Sequence, residues 1–149
     1  MKLALEEAHR AMIDGEIPIG AVLVADGKVI ARAHNKREHS KNPLQHAEMC
    51  LLQESGQQTG DWRLAGTTLY VTLEPCPMCL GALFQARVEH LVFGCLDPKR
   101  EEDNFFPSLK NFQTLKANNH FLNVTGGVLA EECSQLLKDF FRQRREKYV

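Results

Sequence analysis

The chain has 149 residues, a formal net charge of −1, 44% hydrophobic residues and 25% charged residues. These totals are ordinary for a globular protein, and we expect one domain over residues 1–149 with its own core. No apolar run approaches the length of a membrane span, and residues 1–7 turn acidic too early for a secretory signal, so we expect no membrane partner and a cytoplasmic location. Five cysteines, an odd number, argue against a disulfide framework.

Apolar periodicity and turn residues divide the chain into alternating helices and strands. In chain order, the predicted elements are a helix over 2–13, strands over 19–25 and 28–33, a helix over 46–54, a strand over 67–73, a helix over 80–87, strands over 90–95 and 123–125, and a helix over 130–148. Asp26-Gly27 is a strong hairpin signal, so the first two strands should pair antiparallel. Residues 56–60 (GQQTG) are predicted to form a loop. This order predicts an α/β fold, a three-layer α/β/α sandwich around a central mixed five-stranded sheet.

Two cysteines, Cys76 and Cys79, lie three residues apart at the junction between the third predicted strand and the helix that follows it. At a helix start, free backbone N–H groups and the positive end of the helix dipole favour thiolate over thiol. Both thiolates can therefore point at one metal ion. Taken alone, a Cys-x-x-Cys pair would also fit a redox pair or a structural zinc site.

His46 and Glu48 begin the second predicted helix and complete the pattern. His46 would be the third metal ligand, because two thiolates and an imidazole suit Zn²⁺, and a fourth position without a protein ligand indicates a catalytic site. Glu48 is poorly placed to chelate the same ion, but in the first helical turn its carboxylate can reach a bound water. We therefore expect Glu48 to be a general acid/base. His-x-Glu followed by Pro-Cys-x-x-Cys is the signature of zinc-dependent nucleobase deaminases.

Further motifs give the chain a close resemblance to the bacterial tRNA-specific adenosine deaminases, which convert the wobble adenosine of a tRNA to inosine. The resemblance covers nearly the whole chain and rests on residues 18–24 (PIGAVLV), 46–48 (HAE), 69–79 (LYVTLEPCPMC), 92–94 (VFG), 97–99 (DPK) and 139–145 (DFFRQRR). It implies a cytidine-deaminase-like fold, a homodimer, one Zn²⁺ per subunit and a tRNA anticodon stem-loop as the bound partner.

The resemblance also implies where the substrate would be bound. The side chains concerned are Asn35, Asp97, Lys99, Arg142 and Arg144. From composition alone, Asn35 is more often a turn residue, and Asp97 could equally serve to open the Asp97-Pro98 turn. The net charge gives no support for a nucleic-acid partner, so the basic clusters also fit a solvated face. Residues 100–106 (REEDNFF) are bulkier and more acidic than the family's usual stretch, which leaves the choice of substrate open.

For an adenosine substrate, a zinc-activated hydroxide would attack C6 while Glu48 delivers a proton to N1 and then to the leaving amine. Backbone N–H groups of Ala47 and Cys76, at two helix starts, could fix the base and the developing oxygen charge. Two alternatives remain open. A free nucleobase or nucleoside deaminase, of the guanine or cytosine type, would use the same site without the basic C-terminal helix. A zinc-stabilised subunit that only binds RNA would have no use for Glu48.

Overall fold

The computed structural model describes residues 1–98 and 119–147. Its elements are α1 (Lys2–Ile13), β1 (Gly20–Ala25), β2 (Lys28–His34), α2 (Arg37–Ser40), α3 (Ala47–Thr59), β3 (Thr67–Leu73), α4 (Pro77–Gln85), β4 (His90–Cys95), β5 (Asn123–Thr125) and α5 (Ala130–Glu146). The predictions for Lys99 and for residues 100–106 fall outside the described residues.

The five strands form one mixed sheet in the order β2-β1-β3-β4-β5. Strand β1 pairs antiparallel with β2 and β3, whereas the β3–β4 and β4–β5 pairs are parallel. A large apolar core joins the sheet to α3 and α4, and a smaller one joins it to α1 and α5. Helices thus cover both faces, which confirms the predicted three-layer sandwich. Within residues 1–98 and 119–147, no helix has the length and apolar character needed to cross a bilayer.

Gly20 lies at the start of β1, where α1 packs on the sheet. A Cβ atom at this position would overlap the backbone of Ala4 and Ala8. The close approach of α1 to β1 therefore requires a residue without a side chain at this position.

The predicted loop over residues 56–60 is wrong, because α3 continues to Thr59. The hydroxyl groups of Ser55 and Thr59 donate to the carbonyls of Leu51 and Ser55, at 2.7 and 2.9 Å, so both polar side chains are satisfied within the helix. The helix ends at Gly60, whose φ of +72° places it in the left-handed region that glycine adopts without strain. Local composition thus suggested a loop one turn too early.

Candidate active site

Two helix starts converge and bring His46, Cys76 and Cys79 together. His46 is the N-cap of α3 and Cys76 is the N-cap of α4, and both have extended backbone with ψ of 155° and 166°. The potential ligand atoms of the three residues lie within 4.8 Å of one another. His46 Nδ1 lies 3.6 Å from the Sγ atom of each cysteine. This cluster could hold a metal ion.

The local sequence explains how α4 presents both cysteines. Pro77 occupies the first helical position, where its fixed φ suits a helix and its missing N–H is not needed. The backbone N–H of Leu80 donates to the Cys76 carbonyl at 2.9 Å and closes the first turn. Cys76 therefore precedes the helix and Cys79 lies within its first turn, so both sulfur atoms can face His46.

The two cysteines differ in protonation. The hydrogen bond with the Cys79 thiol lowers the pKa of Cys76 to about 3, and the same bond, together with burial, raises the pKa of Cys79. Hydrogen bonding to Cys76 also raises the pKa of His46. Imidazole and thiolate bind a metal ion in their deprotonated forms, so a metal ion at this cluster would displace the shared protons.

Glu48 lies in the first turn of α3 and is only 4% exposed. Desolvation by burial raises its pKa to about 7. A carboxyl group with a pKa near neutrality can both accept and release a proton, as a general acid/base must. Glu48 is therefore buried beside the cluster with the properties of a proton carrier.

A cavity of about 580 Å³ opens over the cluster and is lined by His46, Glu48 and Cys76. This volume falls within the range of roughly 300–1,000 Å³ that is typical of small-molecule sites. Its apolar walls include Ile17 and Leu137, and its polar lining comes from several separate segments of the chain. An apolar pocket with a few convergent polar groups is typical of a small-molecule binding site.

Three predicted substrate-binding residues lie at or beside this cavity. Asn35, which is 4% exposed, and the half-buried Asp97 both line it. The backbone N–H of Asp97 donates to Glu74 Oε2 at 3.3 Å, so a buried carboxylate anchors this turn. Ala47 is fully buried in the first turn of α3, between His46 and Glu48, where a backbone N–H has no acceptor within the helix.

On α5, the basic residues that line the cavity are not the two that were predicted from the motif to bind substrate. The cavity is lined by Lys138 and Arg145, and not by Arg142 or Arg144. Arg142 donates to Asp139 at 2.8 Å. The guanidinium carbon of Arg144, an exposed residue, lies 5.6 Å from the centre of the ring of the buried Phe140.

The residues predicted from the sequence to form the site did not include Lys138, Glu74 or Glu16, and Arg145 was part of the prediction only within the basic motif over residues 139–145. Lys138 and Arg145 belong to a stripe with Ser134 and Phe141 at spacings of four, three and four, which is a helical-face signal that the sequence does carry. Glu74 directly precedes the Pro-Cys motif, so the sequence does indicate its position. The buried Glu16 contacts residues that lie 19 to 23 positions further along the chain, which no local pattern reveals.

The mixed sheet, with His-x-Glu at one helix start and Cys-x-x-Cys at the next, defines a deaminase of the cytidine-deaminase-like fold. The family model of the MafB19-like deaminases matches residues 1–145. The chain is 50% identical over 147 residues to the tRNA-specific adenosine deaminase of Bacillus subtilis (strain 168), covering 99% of this chain and 89% of that protein. The chain belongs to the tRNA-specific adenosine deaminase family.

Solved structures agree with the fold of this assignment. One, from biochemical and structural studies of A-to-I editing by tRNA:A34 deaminases at the wobble position of transfer RNA, is 38% identical with a TM-score of 0.80, covering 92% of this chain and 97% of that one. Another, the X-ray structure of guanine deaminase from Bacillus subtilis, is 30% identical with a TM-score of 0.63, covering 97% of this chain and 90% of that one. The predicted fold class is confirmed.

Proposed function

We propose that this protein hydrolyses the wobble adenosine of a tRNA to inosine, and that it binds the anticodon stem-loop as its substrate. The observation that carries this proposal is the His-Cys-Cys cluster with a buried glutamate beneath a cavity of about 580 Å³. Membership of the tRNA-specific adenosine deaminase family supports the choice of nucleobase and polymer. Lys138 and Arg145 at the cavity supply positive charge for a phosphate backbone.

His46, Cys76 and Cys79 would hold one Zn²⁺ per subunit. In a tetrahedral site with Zn–S of about 2.3 Å and Zn–N of about 2.0–2.1 Å, a sulfur and a nitrogen ligand lie about 3.6 Å apart. Both separations between His46 Nδ1 and a cysteine Sγ are 3.6 Å. The donor set therefore fits this ion. When bound, Zn²⁺ would supply the Lewis acidity that lets water attack a purine at neutral pH.

Glu48 carries the proton transfers in this proposal. Hydrolysis forms a bond between C6 and the water oxygen and breaks the bond between C6 and N6, so adenosine and water give inosine and ammonia. Glu48 takes one proton from the water and delivers it to N1; it then takes the second proton from the oxygen that is now bonded to C6 and passes it to the leaving amine. Its position beside the ligands, on the cavity wall, allows it to reach both water and base.

The residues around Glu48 would hold the base during these steps. Asn35 offers an amide edge to the purine, and the backbone N–H of Ala47 is directed from a helix start, where donors favour developing negative charge. Asp97 would contact a ribose near the reacting base. A single domain over residues 1–149, a homodimer and a cytoplasmic location complete the proposal, and the family resemblance supports the dimer.

The experiment that tests this function compares polymer and free base. Purified, zinc-loaded protein is incubated with an anticodon stem-loop carrying adenosine at the wobble position, and separately with free purines and pyrimidines. Inosine is measured by nucleoside analysis and ammonia by a coupled assay. We expect one inosine and one ammonia per stem-loop and no turnover of free bases. Ammonia from free bases alone would overturn the proposed substrate.

A free guanine deaminase is the second candidate, and the likeness to guanine deaminase from Bacillus subtilis favours it. Such an enzyme would use the same metal ligands and glutamate on a free base. It would have no need for Lys138 and Arg145 at the cavity. Guanine turnover that survives neutralisation of both cations would support this alternative.

A further inference from the structure

Glu16 is a buried carboxylate that the proposed chemistry does not use. It follows α1 and is only 1% exposed. Its Oε2 atom accepts hydrogen bonds from Asn35 Nδ2 at 3.0 Å and from the backbone N–H of Glu38 at 3.2 Å. Its Oε1 atom accepts from the backbone N–H of His39 at 2.7 Å. One side chain thus holds three donors of the segment between β2 and α3.

The bond to Glu16 decides which way the Asn35 amide faces. A carboxylate offers only acceptors, so it selects the Nδ2 end of the amide. The Oδ1 atom and the second N–H of Asn35 are then left for the cavity that this residue lines. Within the part of the chain that the structure describes, Oδ1 accepts no hydrogen bond. An amide edge with one donor and one acceptor matches N7 and N6 of adenine.

We propose that Glu16 is a positioning residue, which holds the Asn35 amide in the orientation that reads a purine in the cavity. This inference rests on the proposed function, because it requires a purine substrate. A neutral side chain at position 16 would not fix the amide, since it could donate to Oδ1 as well as accept from Nδ2. The bonds to Glu38 and His39 keep Glu16 itself in place at the start of α2, whose own N-cap, Lys36, makes no side-chain bond.

Glu16→Gln tests the inference with almost no change in volume. The glutamine NH₂ group replaces one acceptor oxygen, so at least one of the three donors loses its partner. If the remaining oxygen stays with His39, the NH₂ group faces Asn35, and the Asn35 amide turns over and presents the wrong edge to the base. We expect kcat/KM on the adenosine stem-loop to fall about 5- to 150-fold, the value of one bidentate amide–base contact.

A double-mutant cycle separates positioning from folding. If Glu16 acts through Asn35, Glu16→Gln should change kcat/KM by less than about twofold in an Asn35→Ala background. A stem-loop with 7-deazaadenosine lacks the N7 acceptor, so the effect of Glu16→Gln should also shrink on that substrate. Equal losses in both backgrounds and on both substrates would show that Glu16 only supports the fold, and would overturn the inference.

Glu7→Gln provides the matched control. Glu7 is also a buried glutamate, 2% exposed, but it is bonded to Arg10 and His34 and does not line the cavity. We expect Glu7→Gln to lower the midpoint of thermal unfolding while leaving the ratio of kcat/KM on adenosine and 7-deazaadenosine unchanged. A change in that ratio as large as the one in Glu16→Gln would mean that any buried glutamate has this effect, against the inference.

A measurement that needs no turnover tests the inference independently of the proposed function. Absence of inosine formation by the unaltered protein would refute the function alone. The Asn35 side-chain NH₂ signals in a ¹H–¹⁵N spectrum would still report the bond to Glu16. We expect slow hydrogen exchange of one Asn35 side-chain proton, and at least tenfold faster exchange in Glu16→Gln. The same exchange rate in both proteins would overturn the inference whatever the substrate proves to be.

Discussion

Replacing Arg145 by alanine tests whether α5 binds the phosphate backbone of a nucleic acid. Lys138 and Arg145 both line the cavity and lie two helical turns apart on one face of α5. Each phosphate contact contributes about 0.7 to 0.9 to the slope of log affinity against log salt, for single strands and duplexes respectively. If each residue contacts one phosphate, the pair accounts for a slope of about 1.4 to 1.8.

Arg145→Ala should therefore reduce the slope by about 0.7 to 0.9. Raising the salt from about 50 to 200 mM weakens each phosphate contact about threefold, so the variant should lose about threefold less affinity over this range than the unaltered protein. The measurement is fluorescence anisotropy of a labelled anticodon stem-loop, titrated with zinc-loaded protein at several salt concentrations. Lys138→Ala should give a change of the same size.

Arg142→Ala and Arg144→Ala are the matched comparisons, because they remove the same charge from the same helix. Arg142 pairs with Asp139 and Arg144 lies over Phe140, so we expect smaller changes in slope from both. An unchanged slope in Arg145→Ala, with a decrease of about one in Arg144→Ala, would refute the argument from the cavity and favour the motif-based assignment. Unchanged slopes in all four variants would show that these basic residues form a solvated face and bind no phosphate.

Three further predictions concern the site itself. Glu48→Gln should keep one Zn²⁺ per subunit by elemental analysis and lose about 10²- to 10⁴-fold in turnover, since it removes the proton carrier; loss of the metal would instead make Glu48 a ligand. Cys79→Ala should lose the metal and unfold at a lower temperature, and a variant with full metal content would refute its role as a ligand. Asp97→Asn should raise activity on a DNA copy of the stem-loop relative to RNA, by about 5- to 150-fold. DNA has no 2′-OH to donate to the Asp97 carboxylate, and the neutral amide removes the cost of leaving that charge unpaired. Equal slowing of both substrates would leave Asp97 as a turn residue.

The His-Cys-Cys cluster could be anticipated from the sequence because its geometry is largely local. Cys76 and Cys79 are fixed by a strand end, a proline at the first helical position and one turn of helix. His46 and Glu48 are fixed by the N-cap position and the first turn of α3. Only the meeting of the two helix starts needed tertiary structure, and the predicted α/β order already placed both at the sheet.

The hydrogen bond from Asn35 to Glu16, beside the cluster, could not be anticipated in the same way. Glu16 reaches Asn35, which is 19 residues away, because β1 and β2 pair with Gly20 opposite His34 and return the chain to the end of α1. No periodicity or motif predicts this contact, since it depends on strand register and on the length of the turn between Gly15 and β1. The amide of Asn35 could be proposed from spacing, but its orientation could not.

The same reasoning explains why the basic motif of α5 did not indicate which basic side chains line the cavity. The sequence shows which face of α5 is apolar, but an amphipathic pattern does not show which of the neighbouring polar stripes faces the cavity. The packing of Cys133 on Gly94 sets the rotation, because a Cβ atom at Gly94 would overlap the Cys133 sulfur. With α5 held this close to β4, the stripe that contains Lys138 and Arg145 faces the cavity. A glycine in a neighbouring strand thus helps to determine which basic side chains of α5 line the cavity.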